Sequence, residues 1–202
     1  MHSANLAPSS LSADLPHSNV PHFQEQGRIN PVSPSDRLSV EVYSTALDYL
    51  VIACVDLVLT HQDQVLLTQR DRPPRASWWI VGGRMAAGEA PVAAVLRKAA
   101  EEAQLSLTPD RCSYIGVYST CFASRHQPPQ QHGLHSVNLV YQIELTAAEQ
   151  AAIALDPEEY SSWQWLDLQQ ISRLLDPQEA MDLALLNVMK DLERVRSLPS
   201  VG

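Results

Sequence analysis

The chain has 202 residues and a formal net charge of −9, a length that suits one domain with extensions. So acidic a protein repels a nucleic-acid backbone, and any phosphate it handles must meet positive charge supplied locally by Arg, Lys or a metal. No apolar run reaches the roughly 18 residues that would span a membrane, and Cys54, Cys112 and Cys121 show no CxxC spacing. With no basic-then-apolar leader, these features lead us to expect a cytoplasmic protein with reduced core thiols.

Residues 1–34 are rich in Ser, Pro, Asn and His without apolar periodicity. They read as a disordered or loosely packed tail ahead of a domain spanning 35–202. Leu38, Val42, Tyr43, Ala46 and Leu47 recur at helical spacing and predict a short helix. Two β-branched apolar runs, 50–60 and 64–70, flank His61-Gln62-Asp63 and predict a hairpin. Asp56 is a lone acid inside the first run, and a buried carboxylate must be paired or shift its pKa. It suits either an edge position or a site residue, and the second is preferred because its strand should flank the acidic helix that follows. Arg70, Arg72 and Arg75 crowd the next loop, either as a solvated basic loop or as forks for phosphate. Trp78 and Trp79 alternate across a strand, so one suits the core and the other the border of a ligand.

The chain is organised around Gly83 to Leu105, GRMAAGEAPVAAVLRKAAEEAQL. Gly82 and Gly83 are expected to end the preceding strand in a tight loop, with Arg84 beside them as a phosphate ligand. A helix should open after Gly88, with Glu89 in its first turn and Pro91 near its first position. Glu101 and Glu102 lie about 100° apart around that helix, with Arg97 and Lys98 four residues before them. On charge alone this is a solvated face of i,i+4 pairs. Together with Glu89, the same carboxylates make a hard, all-oxygen site of the kind Mg²⁺ or Mn²⁺ shares with substrate phosphates.

Residues 112–122 and 135–145 alternate as strands, joined by the polar loop 123–134, whose length suits a lid or rim. His126, His132 and His135 match no strong zinc spacing. His135, opening a strand, is either a surface histidine or a general base facing the site. Thr146-x-x-Glu149 and Asp176-x-x-Glu179 read as capping boxes, with a strand over 160–166 between them. Met181, Leu185, Val188, Met189, Leu192 and Val195 form one stripe on a last helix, suited to core packing or to a homodimer contact.

The stretch from Gly83 to Leu105 resembles the Nudix box, Gly-x5-Glu-x7-Arg-Glu-U-x-Glu-Glu-x-Gly-U, with U a bulky aliphatic. Gly83, Glu89, Arg97, Glu101, Glu102 and Leu105 stand at matching positions, while Lys98 replaces the first Glu of the Arg-Glu pair and Gln104 replaces the helix-ending Gly. The resemblance implies a Nudix-type α/β/α sandwich with a mixed β-sheet. It implies Mg²⁺ or Mn²⁺ held by Glu102, Glu101, Glu89 and the Gly83 backbone. The substrate class implied is a small nucleotide derivative.

From Leu38 to about Leu166 the chain also looks like GDP-mannose mannosyl hydrolase-type members. The shared features are Asp56 in the first strand, the QRDRP segment, the GGR turn and His135 opening a late strand. That likeness implies water attack at a sugar anomeric carbon, with His135, Arg84 and Asp56 in catalytic roles, Glu102 on Mg²⁺, and Arg70, Arg72 and Arg84 on the diphosphate. Glu101, a carboxylate beyond what that type needs, joins the catalytic set from the box itself. Two alternatives stand beside it. One is a standard Nudix pyrophosphohydrolase cleaving at phosphorus, and the other is an inactive Nudix-fold nucleotide-binding module, motivated by Lys98 and Gln104.

Overall fold

A computed structural model describes residues 19–25 and 38–197, so most of the predicted tail lies outside the described residues. Helix α1 (Val40–Tyr49) opens at Ser39, whose hydroxyl accepts from the Val42 amide. Strands β1 (Ile52–His61) and β2 (Gln64–Gln69) follow as the expected hairpin, with Gln62 in a left-handed turn. Then come β3 (Trp78–Trp79), β4 (Val81–Arg84), α2 (Pro91–Ala103), β5 (Ser113–Phe122) and β6 (Leu134–Glu144). The chain closes with α3 (Ala147–Ala152), β7 (Ser162–Asp167), α4 (Leu168–Leu174) and α5 (Ala180–Arg196).

The sheet is mixed. β1 pairs in parallel with β6 over residues 52–60, and β6 pairs antiparallel with β5. The other edge of β1 is divided, with β4 on residues 54–57 and β2 on residues 60–61. β2 carries β3 and β7 antiparallel. β4 lies against α2, with Lys98 of the acidic helix crossing Gly83.

Side chains alternate along β1, so its two faces build two cores. Val55, Leu57 and Leu59 join Ala94, Val95, Ala99 and Ala103 of α2 on one face. Val58 and Val140 join Ile171 of α4 and Leu185, Val188 and Leu192 of α5 on the other. The result is the expected α/β/α sandwich. The apolar stripe of the last helix is therefore spent on the core. Val20, from the segment before α1, also packs on the α2 side. Among the described residues no helix is long and apolar enough to cross a membrane.

Two capping expectations divide. Thr146 and Glu149 form a reciprocal box at α3. Asp176 does not cap a helix: α5 starts at Ala180, capped by Glu179, whose carboxylate accepts from the Met181 and Asp182 amides. The sequence reading missed α4 and its capping box, Asp167 with Gln170.

Candidate functional site

Gly82 and Gly83 lie within β4, opposite Asp56 and Val55 of β1, and not in the tight loop expected from the sequence. The turn comes later, at Gly88 with φ 79°. What the pair requires is a missing Cβ. At Gly82 a Cβ would stand 2.3 Å from Asp56 Oδ1 and 2.5 Å from the Val55 carbonyl oxygen. At Gly83 it would stand 2.6 Å from Lys98 Cε.

The segment between β4 and α2 is held by one arginine. Arg97 donates from Nε to Glu89 Oε1 and from Nη2 to Glu89 Oε2, both at 2.7 Å, and from Nη2 to the Arg84 carbonyl at 3.1 Å. The Ala86 amide adds a bond to Glu89 Oε2 at 2.8 Å. Glu89 precedes the helix, whose N-cap is Ala90 and whose first residue is Pro91; the expected place in the first turn is corrected. Burial pushes the Glu89 carboxyl up, but the Arg97 and Ala86 hydrogen bonds carry it below the usual carboxylate range. Glu89 thus braces the turn through an ideal charge-assisted fork.

α2 can lie close to β1 because alanines line the contact. It ends at Gln104 in the left-handed conformation, φ 55° and ψ 31°, with the Leu105 amide reaching the Ala99 carbonyl at 3.1 Å. A left-handed non-glycine residue costs about 1 kcal/mol, and burying Leu105, which is 3% exposed, offsets this with about 2 kcal/mol.

On the last turn of α2, Lys98 Nζ lies 2.9 Å from Glu101 Oε2 and 3.0 Å from Glu102 Oε1. Tyr160 donates its hydroxyl to Glu102 Oε2 at 3.1 Å. Burial, then the Glu102 charge, raises the Tyr160 phenol well above its usual range, so it stays a donor. Burial raises the Glu101 carboxyl, but Lys98 and Arg97 outweigh it and hold it ionised below the usual range. Two carboxylates converging on one ammonium form a place built for positive charge, and their hard oxygens fit a divalent ion. Among the described residues no group of three or more His, Cys, Asp or Glu side chains could hold a metal. Further donors would come from backbone, water and substrate phosphate.

The remaining expected residues fall into three places. Arg70 and Arg72 both pair with Glu159, Arg72 at 2.6 Å, and Arg70 also sits 5.7 Å over the Tyr160 ring. Asp56 and Arg84 lie on the sheet face away from α2. Arg84 stacks on Tyr43 of α1 at 4.6 Å. Asp56 is 4% exposed and accepts from Asn138 Nδ2 at 2.7 Å. Burial pushes its carboxyl up to about 6 against its hydrogen bonds from Asn138 and Trp79. His135 has the parity of Leu139, which packs on the α2 side, and its Nε2 lies 2.8 Å from Ser119 Oγ. It lines an open groove with Asp48, Tyr49, Cys121 and His132.

Two contributors, Tyr160 and Arg125, could not be singled out from the sequence, and a third, Arg75, changes its role. Tyr160 touches Glu102 from a loop far along the chain, and nothing local marks it. Arg75 leaves the phosphate set, since it is 8% exposed, pairs with Asp182 and Glu179, and stacks on Trp79. Arg125, fully buried in the loop 123–133, bonds Asp48 of α1 at 2.7 Å and the carbonyls of Gln127, Pro128 and Gly133. The loop is thereby tied to α1 from within.

Residues 51–186 match the family model described as NUDIX domain. Comparison with curated proteins gives no match. A MutT NUDIX hydrolase from Burkholderia pseudomallei has a similar fold, with TM-score 0.53 and 23% identity over 68% of this chain and 97% of that one. The NUDIX domain of Shewanella oneidensis NrtR, complexed with ADP ribose, gives 0.51 and 20% over 79% and 99%. A C. elegans Ap4A hydrolase in a binary complex gives 0.50 and 17% over 72% and 99%.

Proposed function

The chain belongs to the Nudix family, and from that premise we propose that it is a divalent-metal-dependent hydrolase of a nucleoside diphosphate linked to another moiety. The leading substrate class is a nucleotide sugar such as GDP-mannose, attacked at the anomeric carbon. The observation that carries the metal-dependent hydrolase is the pair Glu101 and Glu102, converging on one cationic group over Gly83, while attack at carbon is motivated by His135 on the α2 side of the sheet. ADP ribose, seen with the Shewanella domain, falls in the same broad class of nucleoside diphosphate derivatives.

Glu102 and Glu101, with the Gly83 backbone, would hold Mg²⁺ or Mn²⁺. Bound there, the ion supplies charge neutralisation to a diphosphate leaving group. Arg70 and Arg72 add guanidinium forks to the same oxygens, exchanging Glu159 for phosphate, whereas Arg84, stacked on Tyr43 across the sheet, leaves this set. His135 takes a proton from water at Nδ1, with Ser119 Oγ on Nε2 orienting the ring. Tyr160 keeps the Glu102 carboxylate aimed through its hydroxyl.

A second reading is attack at phosphorus. Glu101 favours it, being 48% exposed, ionised, and adjacent in sequence to Glu102, so it can act as base for a water directed at phosphate. Product analysis with Mg²⁺ across nucleotide sugars, dinucleotides and nucleoside triphosphates separates the two. Free sugar with nucleoside diphosphate supports carbon attack; nucleoside monophosphate with a phosphorylated partner supports phosphorus attack. Binding without turnover of any compound would replace both with a nucleotide-binding module.

A further inference from the structure

Lys98 stands where the box carries a glutamate, and its placement says what it does there. The side chain is 16% exposed, as is that of Glu102, so this is not a solvated helix-surface pair. It reaches Glu101 and Glu102 by lying across Gly83, where a Cβ would come within 2.6 Å of its Cε and 3.1 Å of its Nζ. Gly83 has no positive φ and sits in an ordinary strand pairing opposite Val55. The absent side chain at Gly83 therefore serves the lysine and not the backbone.

We propose that Lys98 is a tethered cation seated in the Glu101–Glu102 site, which a divalent ion must displace in order to bind. This rests on the metal-site reading above. The physical basis is competition: an ammonium at hydrogen-bond distance from both carboxylates and a metal ion cannot share the same oxygens. Removing the ammonium leaves two adjacent carboxylates with Arg97, through Glu101 at 3.1 Å, as their remaining ion-pair partner and the neutral Tyr160 hydroxyl on Glu102. Their mutual repulsion is then relieved by metal. The chain thus lowers its own affinity for the ion that it uses.

The test is Mn²⁺ alone, titrated into the full chain and followed by the electron paramagnetic resonance signal of the free ion and by the thermal unfolding midpoint. Lys98→Met should bind Mn²⁺ about tenfold more tightly than wild type, equivalent to about 1.4 kcal/mol. It should also show a larger Mn²⁺-dependent rise in unfolding temperature. Adding Glu102→Gln should remove both gains. Gly83→Ala provides an independent variant, since it retains the charges and the backbone carbonyl while its methyl group pushes away the flexible end of the lysine. It too should tighten Mn²⁺ binding. Equal affinity in wild type, Lys98→Met and Gly83→Ala would overturn the tethered-cation proposal and leave the metal site standing. Absence of Mn²⁺ binding in all of them would overturn both.

Discussion

Asp56 offers a prediction with both a sign and a size. Its carboxyl is buried on the sheet face away from α2, beside Asn138 and Gly82, and burial raises its pKa from 3.8 to about 6. In the unfolded chain the group ionises near pH 4, whereas in the native state it holds its proton to about pH 6. Between those values the unfolded state binds fewer protons, so stability falls as pH rises through this window and then levels off. A gap of about two pH units corresponds to about 3 kcal/mol. Asp56→Asn keeps the shape, can accept from Asn138 through its amide oxygen, and carries no charge. The variant should match wild type near pH 4 and exceed it by about 2–3 kcal/mol above pH 6. Urea unfolding of both proteins at intervals from pH 4 to pH 8 measures the difference. Parallel profiles, or a variant less stable than wild type at pH 7, would refute the burial argument. A variant that gains stability but loses turnover would show that the acid is kept for a site role at the expense of folding.

Glu102→Gln should lower metal-dependent turnover by about a hundredfold or more with a nearly unchanged unfolding midpoint, measured by steady-state kinetics and calorimetry. Gly82→Ala should destabilise by about 3 kcal/mol, because its methyl meets Asp56 Oδ1 at 2.3 Å and the rigid Val55 carbonyl at 2.5 Å; denaturant unfolding reads this out. Arg125→Met should cost about 3 kcal/mol by leaving three loop carbonyls without their buried donor, Asp48 keeping His132 as its partner, and limited proteolysis should cut first within the loop 123–133. His135→Ala should cripple release of free sugar but only weaken a phosphorus-attacking reaction, and product-resolved kinetics of the pure variant distinguish these.

Periodicity carried much of the fold. The hairpin of β1 and β2, the strands β5 and β6, and the helices α1, α2 and α5 follow from local patterns of apolar residues that packing did not override. The glycine pair misled because glycine marks both turns and strand positions lacking room for a Cβ, and the Asp56 and Lys98 side chains that fill those spaces come from other elements. Asp176 misled for a similar reason: the cap went to Glu179, and Asp182 accepts from the Asp176 amide. In the site, the spacing of Glu101 and Glu102 was legible because a helix converts sequence separation directly into direction. Their partner Tyr160 was not, since its approach depends on how β7 pairs with β2. Nor was the division of Asp56 and His135 between opposite faces, which depends on register between β1, β4 and β6.

Hydrolysis of nucleotide sugars in ¹⁸O-labelled water, with and without Mg²⁺ and with products resolved by mass spectrometry, tests the proposed activity most directly. Mg²⁺-dependent incorporation of one heavy oxygen into the released sugar is the predicted result; its appearance on phosphate would move the reaction to phosphorus. No incorporation from any nucleotide sugar, while the same compounds still raise the unfolding temperature, would contradict hydrolysis of this substrate class and favour a binding module.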